Sequence, residues 1–582
     1  MNIIVRVKQS YRRIFYIFIM LLLVVSFSGH ILTAKAASCE VFGLISSDTT
    51  WSAAACGSYT VTGNITVETE VTLTIESGTI IRFDSGKSLT IRGTLVARGT
   101  TANYIIFTSN QVSPQKGDWG YIEFLDESTD AVFDANGNYI SGNILQYAIV
   151  EYAGRINTDN RTAVVLSNSA AYLDHAIIRN NYFRGLYAGG VSGTPLQITN
   201  SIIDNNGTNV GTLKGGGLYA DVDAISLLNN VITNNRAYTA GGLFITGGSA
   251  LIAGNTVAGN QTGELGGGMQ LAPAYRRRHV VSNNVIRNNI TGDTGGGIFF
   301  TDAVDMYGNV ITGNSAATGG GIYHYTGFFG RGKVIGNTIT HNIVTSIGGA
   351  IRVGSYGLPI HDNILIGNLA QGISQDIYNS NGSASENINA ENNWWGTTDR
   401  GEISNRIFDK TDDTEYGVVD FEPFRSASNA AGVLATPANG GSMSSPDGTI
   451  QVTVPANAVI TTTHISMTVI STPTQSVGPD KEVLRSFFLA ATESNSNTVV
   501  SDFAQPVSIV VTYTDDELSQ LNISESTLTI GFWNGTSWIS LLPCTGCSVD
   551  EANNRIVATV DHFTEFALFS EPKRVLLPLI RR

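Results

Sequence analysis

Seven side chains recur at one phase of a spaced pattern, each directly after an apolar residue that follows a glycine-rich turn. They are Tyr187, Tyr219, Phe244, Gln270, Phe299, Tyr323 and Arg352, and five of the seven are aromatic. Flat rings suit stacking on the apolar faces of sugars, and Gln270 and Arg352 could bond hydroxyls or a carboxylate. Rings in a row can equally stack on one another and steady the sheet that carries them, at ~0.5–1.5 kcal/mol per pair.

Acid–base chemistry is thinner. Hydrolysis of a glycosidic bond usually takes two carboxylates flanking one point. Elimination on an acidic polymer needs a cation site beside a Lys or Arg base. The column of seven contains no carboxylate. Asp221, Asp223, Asp302 and Asp305 fall at strand-to-turn positions nearby. They could hold calcium, the one metal this reading admits, although solvated turn residues are the plainer account. The basic cluster Arg276-Arg277-Arg278-His279 could meet an acidic glycan or stand as a solvated insertion loop. Nothing calls for an organic cofactor.

The elements that position these residues are repeats. Asn-x-[Ile/Val/Leu]-x-x-Asn begins at Asn200, Asn230, Asn255, Asn284, Asn309, Asn337 and Asn363, in steps of 30, 25, 29, 25, 28 and 26 residues. His175–Asn180 is a degenerate earlier copy. The apolar residues after the glycines (Leu186, Leu218, Leu243, Met269, Ile298, Ile322, Ile351) keep the same phase. A unit so short and glycine-rich cannot bury its own face, so the units must stack into a solenoid. Uneven steps exclude a helical repeat but suit coils of strand, whose insertions bulge out as loops. Asparagine suits the turns and, stacked in register, can form amide ladders. The inward third position then reads Ala188, Ala220, Ile245, Leu271, Phe300, His324 and Val353. Alternating runs such as Val71-Thr72-Leu73-Thr74-Ile75 carry the same architecture toward the N-terminus. About twelve coils at ~4.8 Å each would make a rod of roughly 55–60 Å.

The Asn-x-Ile-x-x-Asn and Gly-Gly-Gly-Ile repeats resemble those of the pectate-lyase-like superfamily of right-handed parallel β-helices. Leu73–Gly78, Gly93–Thr100 and Phe107-Thr108-Ser109 resemble its opening coils, and Asn392-Asn393-Trp394-Trp395-Gly396 the way such helices close. The resemblance covers about residues 60–425 and implies the fold more than an activity, because lyases, hydrolases, adhesins and binding proteins share it. Hydrolases of the polygalacturonase type carry Gly-His-Gly and Arg-x-Lys. Only Arg331-Gly332-Lys333 matches here, and Gly-His-Gly is absent from the sequence.

The expected organisation is all-β: a signal peptide over 1–36, a right-handed parallel β-helix over 37–425, a linker over 426–436, an antiparallel β-sandwich over 437–571 and a tail over 572–582. The sandwich rests on alternating runs such as Val507–Val511 and Leu528–Trp533, split by turns such as Asn534-Gly535. It loosely resembles the sandwich domains of ankyrins and netrin receptors. Some relatives of those domains cut themselves after a His-Phe pair. That resemblance would make His562 a base, Phe563–Thr564 the bond cut and Thr564 the nucleophile; the plain alternative is the last strand.

Basic residues (Arg6, Lys8, Arg12, Arg13) precede an apolar run from Phe15 to Phe27, and Ala34-Lys35-Ala36 offers small residues for cleavage. The chain should be secreted, extracellular or at the cell surface, meeting a membrane only through this peptide before its removal. In an oxidising compartment Cys39 with Cys56, and Cys544 with Cys547, read as disulfides. A net charge of −14 argues against nucleic acid as a partner. Charged residues make up only 14%, in keeping with an extracellular β-rich chain. The reading favoured is a non-catalytic protein that binds polysaccharide or another cell-envelope component through the ring column. The alternative is a polysaccharide lyase or glycoside hydrolase with an unrecognised site.

Overall fold

The computed structural model describes residues 38–570 except 135–136, 155–161, 209–212, 327–329, 427, 479–480 and 495–497. The expected signal peptide (1–36) and tail (572–582) lie outside the described residues.

From Ser38 to Phe408 the chain winds into a parallel β-solenoid of about 13 turns. Three ladders run its length. Face A passes through Ile177–Arg179, Ile202–Asp204, Val231–Thr233 and Thr256–Ala258. Face B passes through Leu186–Gly189, the starts of Leu218–Leu228 and Leu243–Ala253, then Met269–Pro273, Ile298–Phe300, Ile322–His324 and Ile351–Val353. Face C takes Leu196–Thr199, the ends of the same two long strands, His279–Ser282, Val304–Tyr307 and Lys333–Ile335. Between A and B, six coils add a short fourth ladder that begins at Arg236–Ala237. Strand alternation explains the core: Leu186, Leu218, Leu243, Met269, Ile298, Ile322 and Ile351 lie over one another, fully buried.

Two asparagine ladders line the interior corners on either side of face A. One runs Asn230, Asn255, Asn284, Asn309, Asn337, Asn363 and Asn393, with Nδ2 donating to the next Oδ1 at 2.9–3.1 Å. The other runs from Asn181 through Asn206, Asn235, Asn260, Asn289, Asn314 and Asn342 to Asn368. The amides between the ends of each ladder are satisfied from both neighbouring coils. Asn284 accepts from the backbone N and Nδ2 of Asn255, and donates to Ile252 O and to Asn309 Oδ1.

The ladders correct the sequence reading in two respects. The left-handed turn conformation belongs to the residue before each ladder amide: Asn200, Asn229, Gly254, Asn283, Gly308, Gly336, Asp362 and Asn392 all have φ between 52° and 67°. The earliest copies are also displaced by one residue. Ser201 holds the rung below Asn230, and the second ladder takes Asn206 and Asn181 in place of Asn205 and Asn180.

The solenoid ends on the buried Trp395, the short helix Arg400–Ser404 and the strand Ile407–Phe408. The C-terminal region packs a six-stranded sheet on a five-stranded one, with every neighbouring pair antiparallel, around Phe487, Phe566, Ile509 and Ile556. The expected linker at 426–436 is largely strand: Ala430–Ala435 pairs with Thr463–Ile470 and buries Ala435. Its small residues read as a flexible connection, yet they also suit a sheet strand pressed close to its neighbours.

The sandwich seats on face C. Phe488 and Ile470 join Tyr307 and Ile335 in one apolar cluster. Phe488 fits because Gly308 and Gly336 lack side chains; a Cβ at either position would lie 2.7 Å from its ring. Asp362, fully buried at the junction, is held by Arg425 (2.6 Å), Ser471 (2.8 Å) and His361 (2.9 Å). Those hydrogen bonds keep its carboxyl below the usual range, outweighing burial.

Candidate functional site

The outward position of face B carries the column of seven in strict register: Tyr187, Tyr219, Phe244, Gln270, Phe299, Tyr323 and Arg352 occupy successive coils. The column continues through Tyr378 and Phe408, which the sequence pattern missed. Tyr378 follows an apolar residue in phase, but Ser374-Gln375-Asp376 replaces the glycine turn that marks the earlier members.

The rings stack on each other. Tyr187 and Tyr219 lie 5.3 Å apart at 10°, Tyr219 and Phe244 5.2 Å apart at 1°, and Tyr378 and Phe408 4.3 Å apart at 3°. Phe299 meets Tyr323 edge-on and stacks on Tyr325. Cations cap the stack: Arg184 lies 5.5 Å from Tyr187 and 5.2 Å from Tyr219, Lys214 5.3 Å from Phe244, and Arg352 4.9 Å from Tyr323. Burial lowers the Arg184 pKa to about 10, which still leaves it charged at neutral pH.

An evenly exposed ladder is therefore not what the chain builds. Phe244 (7%), Phe299 (5%) and Tyr323 (7%) are buried, while Tyr187, Tyr219, Gln270, Arg352, Tyr378 and Phe408 remain partly exposed. The sequence carries no sign of this, because Lys214 and Tyr325 lie outside the repeated motif, in the segments just before and after face B strands. Parallel stacking turns ring faces toward each other and ring edges toward solvent. At the gap in the column, the Gln270 Oε1 has no hydrogen-bond donor among the described residues.

The other candidates separate. Asp221 and Asp223 are exposed; Asp302 and Asp305 are buried. Among the described residues no group of three or more His, Cys, Asp or Glu side chains is placed to hold a metal ion. The basic cluster is dispersed: Arg278 pairs with buried Asp305, Arg276 lies over Tyr275, and His279 is in the core, its Nε2 donating to Gly248 O at 3.0 Å. Desolvation pushes His279 and the inward-facing His324 down to about 4, so both are neutral core residues. Arg331 pairs with Glu386, and Lys333 sits beside Asp305 in register. Thr564 Oγ1 donates to Trp533 O (2.9 Å) while His562 Nδ1 pairs with Asp561 (2.8 Å), so no hydrogen bond links this base and nucleophile among the described residues. Both disulfides, Cys39–Cys56 and Cys544–Cys547, are formed.

Residues 43–166 match the family model described as a pectate-lyase-like beta helix domain. The opening coils of the solenoid are thus similar to a pectate-lyase-like β-helix domain. No curated protein matches the chain. Among solved structures, ORF18 of Geobacillus virus E2 is similar at 11% identity over 90% of this chain and 77% of that one, with a TM-score of 0.16. That score is too low to carry any argument. Among the described residues no helix is long and apolar enough to cross a membrane.

Proposed function

We propose that this is a secreted or cell-surface, non-catalytic protein that binds a carbohydrate polymer, or another extended envelope component, along face B of its β-helix. The observation that carries the reading is the in-register column from Tyr187 to Phe408, stacked within itself yet partly exposed at its two ends. A polymer laid parallel to the axis would meet the partly exposed pairs Tyr187–Tyr219 and Tyr378–Phe408. The ring-bearing part of the column holds no carboxylate, which supports binding over bond cleavage. The N-terminal basic–apolar–small pattern and the paired cysteines support export.

Retention on insoluble polysaccharides tests this. Tyr187→Ala/Tyr219→Ala and Tyr378→Ala/Phe408→Ala should each weaken retention about tenfold while the fold persists. Unchanged retention in both would remove the column as a binding surface. New reducing ends or unsaturated products from pectin or alginate would instead establish an enzyme.

A further inference from the structure

The seam between the sandwich and face C is not closed throughout: a cavity of about 320 Å³ lies within it. Its helix-side wall carries the outward apolar residues Leu228, Leu251 and Ala253 beside the polar Asn229, Ser282 and Asn283. The sandwich side supplies Phe532, Trp533 and Phe563 together with Leu489 and Val500. Two contacts hold the lips. The Asn534-Gly535 turn rests on Leu251, where a Cβ on Gly535 would lie 3.0 Å from Leu251 Cδ2, and Val499 N donates to Thr256 Oγ1 at 3.3 Å.

The rim is polar but not basic. Asn229, Asp502, Asn534 and His562 stand around the opening, and among the described residues no Lys or Arg lines the cavity. An anion would meet Asp502 with nothing to offset it. A wholly apolar ligand would take water from the amides and the imidazole without replacing those hydrogen bonds. The lining suits a small ligand with apolar ring faces and a hydroxylated edge. The volume sits at the small end of the ~300–1,000 Å³ usual for ligand pockets.

We infer that this interdomain cavity is a second binding site, separate from the ring column, that takes one or two units of a neutral saccharide. The sugar face lies against Trp533 and Phe563, and its hydroxyls meet the Asn229, Asn534 and Asp502 side chains. The inference does not depend on the face B reading, because the two sites share no residue.

Saturation-transfer NMR on the full chain tests it, with methyl β-glucoside, methyl β-galactoside, N-acetylglucosamine, cellobiose and lactose as neutral probes and galacturonate as the charged one. At least one neutral probe should bind at millimolar concentration and galacturonate should not. Trp533→Ala, which removes the platform, and Leu251→Trp, which fills the cavity from the helix side, should each weaken that binding tenfold or more. The Tyr187→Ala/Tyr219→Ala variant should leave it unchanged. The inference is overturned if no neutral probe binds, if galacturonate is preferred, or if binding survives both cavity variants with thermal unfolding showing them intact.

Discussion

The asparagine ladders and the ring column both run along the solenoid axis, and both repeat once per coil, but they use their side chains in opposite ways. Inside, the amides between the ends of each ladder are engaged on both sides, and a missing rung takes hydrogen-bond partners from the coils on either side of it. Outside, the column tolerates a glutamine and an arginine among its rings, and its ends stay partly open. A ladder with no spare valence can only build; a column with gaps and free edges can also bind. Repetition alone therefore does not tell scaffold from site, whereas the completeness of each residue's partnerships does.

Removing a rung should have the largest effect. Asn284→Ala takes the acceptor from Asn255 N and Nδ2 and the donor from Ile252 O and Asn309 Oδ1. At ~1–3 kcal/mol for each buried group left unpaired, the loss should reach about 3 kcal/mol or more, read from the urea midpoint. A loss below about 1 kcal/mol would place the ladder on the same footing as the column. Next comes Phe299→Ala in the covered part of the column, which should cost about 3 kcal/mol, the low end for a buried Phe, and leave polysaccharide retention within twofold of wild type. A large loss of retention there would show that the buried rings bind.

The smallest effect sharpens the interior half of the comparison. Asn368 Nδ2, at the end of the second ladder, donates to the buried Asp376 Oδ1 (2.9 Å). Desolvation raises the Asp376 pKa to about 6, against the pull of Asn368 and Arg406. The folded state then holds its proton more tightly than the unfolded chain, so this carboxyl's contribution is complete at acid pH and falls as pH rises from about 4 to 6. Asp376→Asn should extend the ladder by one amide, flatten that slope and add on the order of 1–2 kcal/mol at pH 7. An unaltered profile in thermal melts across pH 4–7 would show that Asp376 is not the titrating group.

Much of the fold was legible in the sequence because its signals are periodic. Leu218, Leu243 and Ile298 recur in phase and do lie over one another. The phase of the amides was less secure where asparagines adjoin: at Asn205-Asn206 either could hold the rung, and only the backbone conformation separates them. The register of the seven candidates could be read from spacing. Their coverage could not, because Arg184, Lys214 and Tyr325 reach the column from outside the repeat. The Ala430–Ala435 strand was missed because small residues mark flexible connections as often as closely packed strands. The interdomain cavity has no local signature, since its walls come from segments hundreds of residues apart.

A rod of near-identical coils has no natural address at which a second body should dock. The turn row Asn200, Asn229, Gly254, Asn283, Gly308, Gly336, Asp362, Asn392 supplies one, because only at 308 and 336 do two bare positions adjoin. Phe488 keys into that double notch, so the C-terminal head is indexed to one place along the shaft and cannot slide by a coil without meeting a side chain.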